Sequence, residues 1–402
     1  MVFSRAKTAL SIAVLLLVGF GGYRLVRYFT DLTAPLVSLA GVEQGGAYAG
    51  DIACTLSGSD GYRVGSLSVW LDGGPLVENY SIGRKHFEYP FTVATKSLAD
   101  GEHLLRVEVQ DSSFRKNKTS RELTFFVDNV PLQTAFTVSD ATYKVFQGHT
   151  LHVQFQSNKP LREAYVQALS GKYPCVSEGA GSQIYECFVP IKSDEHPSEY
   201  PFSLVITDRV GNRGQLEGKM NVVMYPFKNQ VLGLNKEKMK EEELKGLPER
   251  KFEEDAARVA SASPNQKFWK GAFYVPCDLK GITTEFGTLR VSQQRGKYRH
   301  DAVDISAMPK SVIWAAQDGT VVLKERYVHS GNTMALDHGC GVISFYFHLD
   351  SFGDVKVGDK IRKGKPVGTL GMTGYASGYH LHWEIRIHNI AVDPMQWTHY
   401  DF

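Results

Sequence analysis

Gly378-Tyr379-His380-Leu381-His382-Trp383-Glu384 decides the reading of this chain when it is set beside His300-Asp301-Ala302-Val303-Asp304. Residues two apart in a β-strand project to the same face, so a strand here presents His380 and His382 together. The second stretch adds one more imidazole and a carboxylate, four residues apart. Two histidines and one carboxylate are the protein ligands of an open catalytic zinc site that keeps one position for water. The last third of the chain therefore offers a metal site with spare histidines beside it, the arrangement that metal-assisted hydrolysis needs.

Two further pieces lie around these stretches. Ile282-Thr283-Thr284-Glu285-Phe286-Gly287-Thr288-Leu289-Arg290 precedes them, and Phe345-Tyr346-Phe347-His348-Leu349 falls between them. Upstream, the text reads as strands. Leu67, Val69 and Leu71 alternate with polar neighbours before a tight turn at Asp72-Gly73. Leu105-Val107-Val109 and Leu151-Val153-Phe155 alternate in the same way, as half-buried strands do. A weak internal repeat is visible. A strand ending at Asp111 is followed by a polar turn and Leu123–Val127; a strand ending at Asp208 is followed by Arg209-Val210-Gly211-Asn212 and Met220–Met224. These features predict two β-sandwich modules, residues 31–131 and 132–227, which resemble the immunoglobulin-like modules of exported bacterial proteins.

Residues 228–265 change character. Lys236–Leu244 is charged and helix-prone, Gly246 ends one helix, and Pro248 opens the next. This segment reads as a solvated helical connector, or as an arm lying over the neighbouring cleft. At the N-terminus, Ala9–Tyr23 is almost unbroken apolar sequence flanked by Arg5, Lys7, Arg24 and Arg27. It lacks a small-residue cleavage pattern, so residues 1–30 read as a membrane anchor in preference to a cleaved signal. The net charge of +2 gives no basic field for nucleic acid. Of five cysteines, Cys175 and Cys187 flank a Gly/Ser-rich turn and are expected to pair; Cys277 with Cys340 is a second candidate pair.

With the four C-terminal motifs together, residues 266–402 resemble the lysostaphin/LytM-type zinc endopeptidases, which cut peptide bonds in bacterial peptidoglycan. The family pattern Phe-Gly-x-Arg, His-x-Gly-x-Asp, Tyr-x-His-Leu and His-Leu-His-Phe-Glu is met by Phe286–Arg290, His300–Asp304, Tyr346–Leu349 and His380–Glu384. Ala302, Tyr379 and Trp383 depart from it at positions where the family usually has Gly, Pro and Phe; none is a ligand. The resemblance implies Zn2+ as cofactor, His300, Asp304 and His382 as its ligands, and His348 and His380 as the catalytic pair acting on a zinc-activated water. It implies an antiparallel β-rich peptidase domain, which with the readings above gives a mainly β chain: an anchor helix, two immunoglobulin-like modules, a short helical linker and that domain. The expected partners are peptidoglycan peptides and, through the anchor, a membrane; a regulatory protein partner stays open. The expected location is the bacterial inner membrane, single-pass, with the catalytic domain in the periplasm or cell exterior. A non-catalytic activator or wall-binding scaffold of another cell-wall hydrolase is the alternative.

Individual residues carry smaller expectations. Arg290 either binds a substrate carboxylate or makes a structural ion pair, and Glu384 either supports a ligand or is structural. Tyr346 and Trp383 read as core, and His338 as structural. His329, His388 and His399 default to the surface.

Overall fold

The computed structural model describes residues 15, 18–138, 142–179, 181–231, 237, 240, 251–292, 296–400 and 402. It is mainly β and divides into two compact units, Met1–Pro131 and Leu132–Phe402. Most of the expected anchor run lies outside the described residues. Residues 18–30 are helical, and no helix among the described residues is long and apolar enough to cross a membrane. The expected linker helix at Lys236–Leu244 also lies outside them, apart from residues 237 and 240.

In the first unit the alternating residues do what their period predicts. Leu67, Val69, Leu105, Val107 and Val109 are buried in one core with Leu56, Phe125 and Val127. The strands Ile52–Leu71 and Gly74–Val93 form a long antiparallel hairpin. Its two-residue turn, Asp72-Gly73, has positive φ at both positions (49° and 80°), the geometry that matches strand twist. On the other edge of Ile52–Leu71, Leu36–Ala40 pairs with its first half and Gly101–Asp111 with its second. Pairing along this edge breaks at residues 60–63.

The first part of the second unit has the same connectivity with the long strands cut in two. Thr150–Ser157 and Leu161–Ala168 take the places of the two halves of Ile52–Leu71 and sit in separate sheets. In both modules the last long strand pairs in parallel with a short early one: Lys118–Val127 with Ala47–Tyr48, and Arg213–Val223 with Thr142–Phe146. The sequence repeat is thus a repeat of topology.

The rest of the second unit is built on an eight-stranded sheet. Along its main path run Gly281–Thr284, Val303–Ser306, Leu381–Ile387, Val342–Leu349, Gly331–Asp337, Gly319–Tyr327 and Lys360–Ile361. One face packs Leu381, Trp383, Ile385, Val342 and Tyr346 into a core with Trp269, Phe273 and Trp397. Phe188 of the preceding module joins the same core, 5.8 Å from Trp397 between ring centroids. The opposite face carries Ile343, Phe345 and Phe347, which are covered by Ala256, Val259 and Ala260 of the helix Lys251–Ala262.

The expected disulfides do not form. All five cysteines are free and buried. The Cys187 thiol is directed at the Tyr173 carbonyl, 3.3 Å away, and burial followed by contact with Cys187 raises the Cys175 thiol well above its ordinary range.

Candidate metal centre and active-site cleft

The three central strands place the site. Cross-strand register sets Asp304 opposite His382 and His382 opposite Phe347. His382 therefore projects from the face opposite the Leu381–Trp383–Ile385 core, as period-two geometry requires. The Phe347 ring stacks on its imidazole at 4.7 Å between centroids, nearly parallel. His300 lies just before the Val303–Ser306 strand; its N–H donates to Thr288 O and its carbonyl accepts from Gly287 N. Gly287 has φ +73°, and a Cβ there would collide with the Phe227 ring.

Three donor atoms converge. His300 Nε2 and His382 Nδ1 each lie 3.0 Å from Asp304 Oδ1, and 3.1 Å from each other. Four tetrahedral ligands at about 2.0–2.1 Å from a zinc-sized ion stand about 3.3–3.4 Å apart. A triangle with edges of 3.0–3.1 Å needs to open by only a few tenths of an ångström to hold such an ion. The set of two imidazoles and one carboxylate suits a borderline divalent metal, so the residues fit the group.

His348 and His380 stand beside this triangle, 4.8 Å apart between ring centroids. His348 Nδ1 is 2.8 Å from Thr373 O, and His380 Nδ1 is 2.9 Å from Gly378 O. A carbonyl can only accept, so Nδ1 carries the hydrogen in both and Nε2 presents a lone pair. His380 Nε2 lies 3.8 Å from Asp304 Oδ1. The backbone at His348 has φ +59°, uncommon for a residue with a side chain, and is fixed by its N–H bond to Ser330 O at 2.8 Å. Gly371 packs so closely beneath that a Cβ would meet Asp350 N and His348 O.

The electrostatics separate two kinds of histidine. Burial, with the neighbouring His380 and His382, holds His348 well below the usual imidazole range. His380 is also lowered, chiefly by burial. Burial would lower His382 too, but its bonds to Asp304 and Glu384 outweigh that and raise it to about 9. Burial alone would raise Asp304; hydrogen bonds from His300 and His382 hold it well below the usual carboxylate range. An acidic oxygen thus stays ionised between nitrogen donors, and two neutral imidazoles flank it.

Residues 298–394 match the model of peptidase family M23. This segment is a peptidase family M23 domain. The chain is 33% identical over 132 residues to the peptidoglycan DD-endopeptidase ShyC of Vibrio cholerae serotype O1, covering 32% of this chain and 30% of that protein. It is 33% identical over 128 residues to the DD-carboxypeptidase/endopeptidase Mpg of Neisseria meningitidis serogroup B, covering 31% and 29%. The chain thus spans about 30% of the length of these curated relatives. Among solved structures it is similar to the antimicrobial peptidase lysostaphin from Staphylococcus simulans, with 29% identity over 25% of this chain and 44% of that one and a TM-score of 0.24.

The M23 domain brings all five sequence-predicted residues to one cleft: His300, Asp304 and His382 in the triangle, His348 and His380 at its side. The cavity is about 670 Å³, and its walls include Tyr298, Arg299, His329 and Tyr375. His329, expected at the surface, is a wall residue packed on Tyr375 at 4.4 Å between ring centroids. Arg290 makes the ion pair: its Nη2 is 2.5 Å from Asp304 Oδ2, and Gln230 and Thr284 hold the guanidinium from behind. Glu384 Oε2 is 3.9 Å from His382 Nε2 and its other oxygen bonds Arg386, which Glu253 reaches at 2.7 Å from the helix Lys251–Ala262. Tyr346 and Trp383 are fully buried core residues. Sequence reasoning missed Gln230 and Glu253, which reach the site from distant segments with no motif of their own, and the part that Thr373 plays.

Proposed function

We propose that the M23 domain is a zinc metalloendopeptidase that hydrolyses peptide cross-links or stem peptides of bacterial peptidoglycan. The single observation behind this reading is the triangle of His300, Asp304 and His382 with two neutral, oriented imidazoles beside it in an open cleft. The similarity to the peptidoglycan DD-endopeptidase ShyC supports peptidoglycan as the substrate class. When bound at the triangle, zinc supplies a Lewis acid for the scissile carbonyl and makes water more acidic.

The chain's own residues do the rest. Asp304 stays anionic under Arg290, which fixes one carboxylate oxygen while the other faces the histidines. Phe347 and Glu384 hold the His382 ring from its face and its far nitrogen. His348 and His380 each offer an Nε2 lone pair, because Thr373 O and Gly378 O fix the tautomer. One of them takes the proton of the attacking water and returns it to the leaving amine, a transfer worth roughly 10²–10⁴ in rate.

Under the same reading residues 1–30 attach the chain to the inner membrane from the periplasmic or exterior side, and the two immunoglobulin-like modules hold the peptidase towards the wall. The test is digestion of purified sacculi with the zinc-loaded protein, followed by mass spectrometry of released fragments. Cleaved stem-peptide bonds with wild type and none with His382→Ala are expected. No fragments from either, with zinc bound, would defeat the proposal.

A further inference from the structure

In the first module, Asp31, Asp60 and Asp111 bring their carboxylates together, with one oxygen from each lying within 4.8 Å of the others. All three are buried, at 7%, 7% and 2% relative exposure. Asp31 follows the helical residues 18–30, Asp60 sits where pairing of the Ile52–Leu71 strand breaks, and Asp111 ends the Gly101–Asp111 strand.

Part of each carboxylate is satisfied locally. Asp31 Oδ1 accepts from Thr33 N and Oγ1, Asp60 Oδ1 from Tyr62 N and Arg63 N, and Asp111 Oδ1 from Ser113 N and Oγ. Asp111 Oδ2 accepts from Asn117 Nδ2 at 2.7 Å. Asp31 Oδ2 and Asp60 Oδ2 are buried with no hydrogen-bond partner. Among the described residues no lysine or arginine makes an ion pair with any of the three carboxylates. Arg27 Nη2 donates to Gly61 O at 2.7 Å. The helical residues end at Thr30, just before Asp31, so the negative pole of that helix adds to the local charge. Buried carboxylates are normally paired or bound to metal; three together without a cation are far from balance.

The second module shows what balance looks like at the same place in the fold. Asp208 ends the strand equivalent to Gly101–Asp111 and is 0% exposed. Its N–H donates to Asn212 O as that of Asp111 does to Asn117 O, and its Oδ2 accepts from Asn212 Nδ2. Here Lys159, in the break between the two strands, places Nζ 2.8 Å from Asp208 Oδ2. The first module has Asp60 in that break instead of a lysine. Arg63, also in that break, gives Asp60 its backbone N–H and makes no ion pair with the three carboxylates among the described residues, so Asp111 lacks the ammonium that Asp208 has.

We propose that Asp31, Asp60 and Asp111 form a divalent-cation site for Ca2+ that locks the base of the first module. Only oxygen donors are offered, which selects a hard cation over zinc. Several carboxylates in a protein cage suit Ca2+, whereas Mg2+ keeps most of its waters and favours few protein ligands. The site ties the end of the helical residues to the strand break and to the Asp111–Asn117 turn. It is separate from the M23 cleft in ligand chemistry and in sequence, and it stands whether or not that cleft is a peptidase.

The full chain, with zinc already bound at the C-terminal site, is titrated with Ca2+ by calorimetry and, in a parallel arm, with Mg2+. One Ca2+ per chain is expected, with a dissociation constant at or below the roughly 10⁻³ M of exported modules, together with a Ca2+-dependent rise in the first melting transition. Asp60→Asn and, as a second variant, Asp111→Asn weaken Ca2+ at least about tenfold, while zinc content stays unchanged; both remove buried charge, so far-UV circular dichroism stays that of a folded protein. Asp60→Lys supplies the ammonium of the second module and makes the melting temperature indifferent to Ca2+. The proposal is overturned if wild type takes up no Ca2+ at millimolar concentration, if Asp60→Asn and Asp111→Asn bind it as wild type does, or if Mg2+ binds as tightly.

Discussion

His338 gives a quantitative test of the M23 core. The imidazole is fully buried, with Nδ1 2.7 Å from Asp318 O and Nε2 2.8 Å from Ser344 Oγ. Nδ1 therefore holds the hydrogen, and what disfavours a second proton is burial of the charged ring away from water. Burial lowers His338 from 6.5 to about 4. Because the folded value lies below the unfolded one, the unfolded chain binds more protons between them. Stability is then full above about pH 6.5 and is lost as pH falls towards 4. At 1.36 kcal/mol per pH unit the whole loss is about 3 kcal/mol.

The assay is denaturant unfolding from pH 7.5 to 4, read by tryptophan fluorescence. Four of the five tryptophans (269, 314, 383 and 397) belong to the second unit, so the signal reports mainly on it. Wild type is compared with His338→Gln. The substitution's own cost shifts its curve vertically, while the other histidines act on both curves alike. The difference between the curves should therefore shrink by about 3 kcal/mol from pH 7 to 4. Parallel curves would refute the claim that His338 is held neutral by burial.

Three other outcomes follow from particular contacts. Arg290→Met, which frees Asp304 Oδ2, should weaken metal affinity by about 10–100-fold in competition with a chelator. His348→Gln should lower the hydrolysis rate by roughly 10²–10⁴ while metal content stays at the wild-type value, which separates proton transfer from metal binding. Lys159→Met leaves Asp208 buried without its cation and should cost about 3–5 kcal/mol in the second unit; the double variant with Asp208→Asn should recover much of that.

The site was legible because strand geometry converts spacing into direction. His382 and Asp304 sit on paired strands, and alternation alone puts Trp383 in the core and His382 in the cleft. The strands of both modules were legible for the same reason. The acidic cluster was not: Asp31, Asp60 and Asp111 are far apart in sequence and meet only when a strand breaks its pairing at residues 60–63. Lys159 and Asp60 look unrelated until the two modules are compared strand by strand. The helix Lys251–Ala262 reads as charged sequence, yet its small residues Ala256 and Ala260 allow close packing on Phe345 and Phe347, and Glu253 reaches Arg386 from its first turn. Cysteine spacing brings Cys175 and Cys187 into contact, but both thiols stay free, and Cys187 donates to the Tyr173 carbonyl.

Metal binding tests the account at its centre. Zinc titrated into metal-free full-length protein, with content measured after dialysis, should saturate at one tightly held ion per chain in wild type and in His348→Gln, and should lose that ion in His382→Ala. Equal retention in His382→Ala, or no tightly held ion in wild type, would contradict the assignment of His300, Asp304 and His382.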